Sequence, residues 1–279
     1  MEYVVEKSIN NNVVLAKNKK SNEQVILMSK GIGFNRKRND IVSDVGEENQ
    51  VFILWNTNTK MKNVSYDEKE LESVVAEICT IAQEKLGIHK DNIYKSLFDH
   101  IQFLVDRIQF GLTIDNPFQN EISILYAKEY EVAKLGVELL NTKMGIDVGE
   151  AEIAFITLHL NSSLNKHSIS TSLDQVRIYS KIANHVESLL HTHSMYEETD
   201  IRIFLMSLNR IVNGKPNAFQ LDHSLLESIQ SNMADSYKIT KQIVDIINQE
   251  LQIILDEHAI GFITVEVERI KQLNQKKEG

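Results

Sequence analysis

The chain has 279 residues, 42% of them hydrophobic and 25% charged, with a formal net charge of −9. That is the composition of a soluble globular protein long enough for two or three domains. The acidic balance excludes nonspecific nucleic-acid binding by the whole surface, and with no run of about 18 apolar residues no membrane insertion is expected.

"MEYVVEKSINNN" lacks the charged-then-apolar layout of a secretory signal, and a cytoplasmic location is expected. The first 55 or so residues read as β: "YVVEKSI", "NNVVLAKN", "EQVILMSK" and "QVFILWN" are short Val/Ile-rich runs separated by turn formers. Four such strands make a small antiparallel sheet. So small a sheet buries little, which predicts a homodimer. Residues 1–60 hold nine Lys/Arg against seven Asp/Glu, and the remainder 21 against 32. A slightly basic head on an acidic body suggests two different jobs. "TNTKMKNVSYDEKE" reads as a linker.

From about residue 66 the apolar period becomes helical. Helices are expected near 67–87, 91–110, 119–143 and 149–165, then near 173–193, 197–213, 219–231, 236–251 and 256–275. Asp91, Asp147, Thr199 and Asp222 are N-caps or their neighbours. The expected fold is therefore multidomain: a small N-terminal antiparallel β-sheet domain followed by two all-α helical bundles.

The helical part repeats. "AFITLHL" (154–160) returns 107 residues later as "GFITVEV" (261–267), and "SLFDHIQFLVDR" (96–107) precedes "IFLMSLNRIVNG" (203–214) by the same offset. A duplication of this length is domain-sized. In this register His100 lies opposite Ser207 and His159 opposite Glu266. Slipping the first alignment by one or two places puts Met206 or Asn209 opposite His100 instead.

No nucleotide-binding, hydrolase or zinc-protease motif occurs, so neither an enzyme nor a cofactor is expected. Cys79 sits inside an apolar helical pattern and reads as structural; alone, it excludes an intramolecular disulfide. "HVESLLHTHSM" gathers His185, His191 and His193, either a zinc site or a solvated helix end. No cysteine or closely spaced carboxylate completes the metal reading. His100 and His159 each interrupt an otherwise apolar helix. Either they are hydrogen-bonded core histidines, or they are nucleophiles toward phosphorus, since neutral imidazole is a good one near pH 7. In the head, "INNNVV" offers amides for base edges, Lys30, Arg36, Lys37 and Arg38 can meet phosphates, and Phe34 can stack on a base. The plainer reading is a hairpin turn with solvated cations.

These residues carry a resemblance. "EKSINNNVVLAKN…EQVILMSKGIGFNRK" resembles the RNA-binding coantiterminator domain of bacterial sugar-operon antiterminators. "DHIQF", "DNPFQNEISILYAKEYEVAK" and "GEAEIAFITLHLN" resemble the first of that family's two phosphotransferase-system regulation domains. "FITVEV" looks like a degraded form of the second, and "VILMSKGIGF" looks closest to the glucose-type branch.

The resemblance implies a division into residues 1–58, 66–170 and 172–279. It implies a dimeric head that binds a hairpin in a nascent leader mRNA and keeps a terminator from forming. It implies that a sugar-permease component of the phosphotransferase system phosphorylates the first regulation domain and inactivates the protein. In many members the general phosphocarrier protein activates the second. By motif match Lys7, Asn10, Asn12, Lys30, Gly31 and Phe34 take RNA-contact positions, and Ser29 stands where the family usually has glycine. His100 and His159 take the phosphorylation positions. Ser207 and Glu266 stand where the second domain's histidines belong, so that domain is degenerate, with Glu266 either filling a surface site or supplying a permanent negative charge. His258, near the second "FIT", reads as a solvated turn histidine or a displaced acceptor. The competing functions are a DNA-binding activator, against which the β-rich head counts, and a dimeric scaffold or phosphate relay without RNA binding.

Overall fold

The computed structural model describes residues 1–10, 12–29, 31–43, 50–53, 66–109, 112, 114–190, 199–213 and 220–275. The chain forms two compact units. The first comprises Met1–Glu77, Tyr94–Ile114 and Leu139–Gly149, the second Ile78–Ile93, Asp115–Glu138 and Glu150–Gly279. Most of the expected linker falls outside the described residues.

In the first unit β1 (Glu2–Asn10), β2 (Val13–Asn18), β3 (Gln24–Met28), β4 (Ile41–Ser43) and β5 (Gln50–Ile53) form one antiparallel sheet, in the order β4-β1-β2-β3-β5. Four of these are the strands expected from sequence. β4 is an addition: three residues between turn-rich runs show no period, and pairing with β1 (Tyr3 opposite Val42) makes them a strand. Alternation gives the sheet two apolar faces. Tyr3, Val5, Val14, Ala16, Val25, Leu27 and Val42 cluster on one, with Ile32 against them. Val13, Ile26 and Met28 cluster on the other, where Phe103 and Leu112 pack. Asn39 holds the returning connection to β1, its N–H donating to Val5 O at 2.7 Å.

The helices are α1 (Glu68–Leu86), α2 (Lys90–Gln109), α3 (Gln119–Leu125), α4 (Ala127–Met144), α5 (Ala151–Asn165), α6 (Ile169–Leu190), α7 (Thr199–Val212), α8 (His223–Asn232), α9 (Ala234–Leu251) and α10 (Glu257–Gln275). The helix expected over 119–143 is broken at Tyr126 (φ −120°, ψ 44°). That break is part of the duplication. It recurs 107 residues on at Met233 (φ −120°, ψ 38°), between α8 and α9. The left-handed Gly145 after α4 (φ 61°) likewise has its counterpart in Gln252 after α9 (φ 55°). Asp222 holds the N-cap position of α8, whereas Glu150, three residues past Asp147, holds that of α5.

The second unit has one core, in which Ile122 and Leu158 pack in the same cluster as Val186, Phe204, Ile247 and Ile263. It therefore continues across residue 171. α10 lies against α7, α8 and α9, and α3 against α5, α6 and α7. Gly261, opposite Ala154 in the repeat, permits the close approach of α8: a Cβ there would stand 3.0 Å from Leu226 Cδ2, and 2.8 Å from Leu221 Cδ1 just before that helix. A buried polar chain crosses this core. Asn161 Nδ2 donates to Glu129 Oε1 at 3.1 Å, and Ser172 Oγ donates to Asn161 Oδ1 at 3.0 Å. These pairings offset the cost of burying a carboxylate and an amide.

Candidate nucleic-acid interface and regulatory histidines

Asn12 organises the loop after β3. Its carbonyl accepts the Ser29 N–H and its side-chain Oδ1 accepts the Gly31 N–H, both at 3.0 Å. Within the loop Ile32 N–H donates to Ser29 O (3.2 Å) and Phe34 N–H to Gly31 O (3.1 Å). Gly31 has φ 76° and a Cβ there would meet nothing within 4 Å, so backbone conformation and not space favours glycine. Ser8 Oγ donates to Gly33 O at 2.8 Å and ties the loop to β1. The result is a fixed loop that holds the Phe34 ring out, 63% exposed. An aromatic on a rigid, polar loop is a platform on which an unpaired base can stack.

The structure thus brings together Asn12, Ser29 and Gly31, with Phe34 on the same loop. Lys7 is exposed on β1, opposite Leu15. Lys30 and the side chain of Asn10 lie outside the described residues. Asn12 carries a role the sequence did not reveal, since it builds the loop as well as lying beside it.

His100 lies on α2 in the first unit and His159 on α5 in the second; both are half-buried. On α5, Ala154, Ile156, Leu158 and Leu160 are buried, while Phe155, His159 and Ser162 follow a less buried stripe at i, i+4, i+7. On α2, Ile93, Leu97, Ile101 and Leu104 are buried, and His100 lies beside that stripe. His100 Nε2 is itself buried, and half-burial packs both imidazoles closely enough for added charge to disturb their neighbours.

In copy two the corresponding positions meet. Ser207 Oγ donates to Glu266 Oε1 at 3.0 Å. Arg269 Nε donates to Glu266 Oε2 at 3.0 Å, and its Nη1 and Nη2 donate to Asp200 Oδ1 (2.9 Å) and O (3.1 Å). Ser207 is therefore a residue of α7 that faces Glu266. Sequence reading missed Arg269 and Asp200. The i, i+3 pair Glu266–Arg269 was legible in "EVER"; the Asp200 contact is tertiary. In copy one the same offsets fall on Ser162 and Ile93, so this network belongs to copy two alone.

The remaining histidines are engaged or undescribed. His258 is half-buried and its Nδ1 accepts the Leu221 N–H at 3.1 Å, which corrects the reading of a solvated turn residue. His185 Nε2 pairs with Gln242 Oε1 at 2.8 Å, and His191 and His193 lie outside the described residues. Among the described residues no His, Cys, Asp or Glu cluster is arranged to hold a metal ion, and no helix is long and apolar enough to cross a membrane. Cys79 is fully buried, and burial pushes its thiol up to about 11.

Comparison with known proteins covers the chain in three parts. The CAT RNA binding domain model matches residues 3–61, and the PRD domain model matches 72–163 and again 177–270. The chain is 31% identical to "Transcription antiterminator LicT" of Bacillus subtilis, over 95% of this chain and 98% of that one. It is 27% identical to "GlcA/glcB genes antiterminator" of Staphylococcus carnosus, over 98% of each. Among solved structures, one described as a crystal structure of GlcT CAT-PRDI is 32% identical, with a TM-score of 0.34, and covers 59% of this chain and 99% of that one.

Proposed function

We infer that this chain, which belongs to the transcription antiterminator family built from a CAT RNA-binding domain and two PRD domains, binds a hairpin in a nascent leader mRNA and lets transcription pass an overlapping terminator. The observation that carries this reading is the loop fixed by Asn12, which presents Phe34 from the sheet that the CAT model covers. Irregular RNA offers unpaired bases to such a platform. Lys7, Asn10, Asn12, Ser29, Lys30, Gly31 and Phe34 form the contact set, on a homodimeric head spanning residues 1–58. The protein works in the cytoplasm, upstream of sugar-uptake genes.

Control is exerted through the first regulation domain, residues 66–170. A sugar-permease component of the phosphotransferase system phosphorylates His100 and His159 when sugar is absent. Each phosphoryl group adds negative charge to a half-buried position. Sugar uptake drains that phosphate and restores activity. Residues 172–279 form the second regulation domain, which has lost its acceptors.

The test is a gel shift of the full chain with a leader hairpin bearing internal loops, beside a fully paired stem. Selective binding that Phe34→Ala weakens is the expected result. Equal affinity for both RNAs would instead favour a dimeric scaffold or relay. In cells carrying a leader reporter, His100→Asp should lower antitermination even with sugar, and His100→Ala should leave it on without sugar. A normal sugar response in both variants would make His100 a core residue.

A further inference from the structure

One face of the head sheet is closed by residues from far along the chain. Val13, Ile26 and Met28 are at most 2% exposed there, and Phe103 of α2 and Leu112 beyond it pack on them. Two of the three covered residues adjoin the reading loop: Val13 follows Asn12, and Met28 precedes Ser29. Phe103 and Leu112 thus pack where β2 begins and β3 ends, the points from which that loop springs. The Arg107 guanidinium lies over the Phe103 ring, 5.9 Å from its centroid, and is itself 1% exposed. The Arg107 carbonyl accepts the Leu112 N–H at 3.0 Å, so one residue steadies both packing groups.

His100, Phe103 and Arg107 recur at i, i+3 and i+7 on one face of α2. Long helical side chains lean toward the helix N-terminus, which carries the Arg107 guanidinium a turn toward His100. The same offsets in copy two fall on Arg210 and Gly214, so the arrangement is confined to the copy that keeps its histidines.

We propose that Phe103 is a positioning residue for the RNA-reading loop, and that phosphate on His100 draws Arg107 off the Phe103 ring and so loosens that loop. This rests on the RNA-binding and phosphorylation reading above. In the transfer, a ring nitrogen of His100 forms the new bond to phosphorus with its lone pair. The donor's bond to phosphorus breaks and its electron pair stays on the donor. The other ring nitrogen keeps its proton. A guanidinium forms charge-assisted, two-pronged hydrogen bonds to phosphate, a stronger pairing than the ring face gives it. The sign agrees with inactivation: without phosphate the loop is braced, and with it the brace is withdrawn.

The experiment is hydrogen exchange on the full chain, with hairpin binding measured alongside. Phe103→Ser should speed exchange of the Val13 and Met28 amides by about tenfold or more and weaken RNA binding to a similar degree, while exchange in α9 and α10 stays unchanged. Phe103→Leu should stay within about twofold of the parent, because it keeps the apolar cover. His100→Asp should reproduce the Phe103→Ser pattern and add nothing to it in the double variant, whereas Arg107→Lys should blunt its effect. Unchanged β2 and β3 exchange in His100→Asp, or simple additivity with Phe103→Ser, overturns the proposal. Should Phe103→Ser loosen the whole chain, His100→Asp alone decides, and its effect must be confined to the head. A chain that shows the exchange response but binds no hairpin would refute the RNA function and leave the brace standing.

Discussion

Ser207 on α7 donates a hydrogen bond to Glu266 on α10 at 3.0 Å, joining the two positions that align with His100 and His159 of the first copy. Arg269 grips the Glu266 carboxylate and reaches Asp200 at the start of α7, so an ion-pair network ties α10 to α7. With Glu266 and Asp200 both 24% exposed and Arg269 31%, solvent screens these pairs only in part.

Removing the cation should therefore matter more than removing the hydroxyl. Arg269→Ala leaves two carboxylates without their partner and should cost about 1–2 kcal/mol, reduced in high salt. Ser207→Ala loses one hydrogen bond and should cost about 0.5–1.5 kcal/mol. Urea unfolding of the full chain measures both. An Arg269→Ala protein as stable as the parent would reduce the network to solvated surface charge.

In the head, the loop-building role of Asn12 can be tested apart from a role in reading RNA. Asn12→Ala removes the acceptor for the Gly31 N–H, so it should cost about 0.5–1.5 kcal/mol of stability as well as about 1–3 kcal/mol of hairpin affinity. Asn12→Asp keeps an acceptor oxygen and removes the amide donors. It should preserve the loop while repelling RNA. If Asn12→Asp binds the hairpin as the parent does, Asn12 is a loop builder and no reader.

Much of this was legible in the sequence, and what was not has physical causes. The strands β1, β2, β3 and β5 and the helices announce themselves by their apolar period. β4 is too short to show one. The break at Tyr126 carries neither proline nor glycine, so 119–143 reads as one helix, whereas the matching break at Met233 falls between two helices the sequence already separates. The repeat offset set Ser207 opposite His100 and Glu266 opposite His159, but it could not supply Asp200, because the partner of Arg269 lies 69 residues away in the chain. Phe103 reads as ordinary helix core in "DHIQFLVDR". That it packs against a sheet formed by the first residues of the chain is a tertiary fact.

Cys79 offers a test of burial by pH. Its side chain is inaccessible, and burial raises its thiol from 9.0 to about 11. In the native protein at pH 8 it should react with iodoacetamide only as fast as the chain opens. Between pH 9 and about 11 the unfolded thiol loses its proton first, so stability should fall as pH rises through that window. Rapid alkylation of the folded protein at pH 8 would contradict the packing around α1.

The last prediction concerns what copy two can still accept. The full chain is the right substrate, because Ile122 and Leu158 share a core with Phe204 and Ile263, and a fragment beginning at residue 172 would expose it. The protein should be incubated with phosphorylated general phosphocarrier, digested, and mapped by mass spectrometry. No label is expected on residues 172–279. His258 is the acceptor to watch, and its Nδ1 already accepts the Leu221 N–H at 3.1 Å, so phosphorylation there would break the tie between α10 and the entry to α8. Label at His258, or at any histidine of this region, would show that the domain is still a sensor. Without label, antitermination should be complete in cells lacking the carrier, with or without sugar, because the carrier then serves only to deliver phosphate toward the first domain. Glu266→His should restore neither labelling nor carrier dependence. It places an imidazole beside Arg269, whose charge disfavours a second cation, and it leaves Ser207 where the partner histidine is missing.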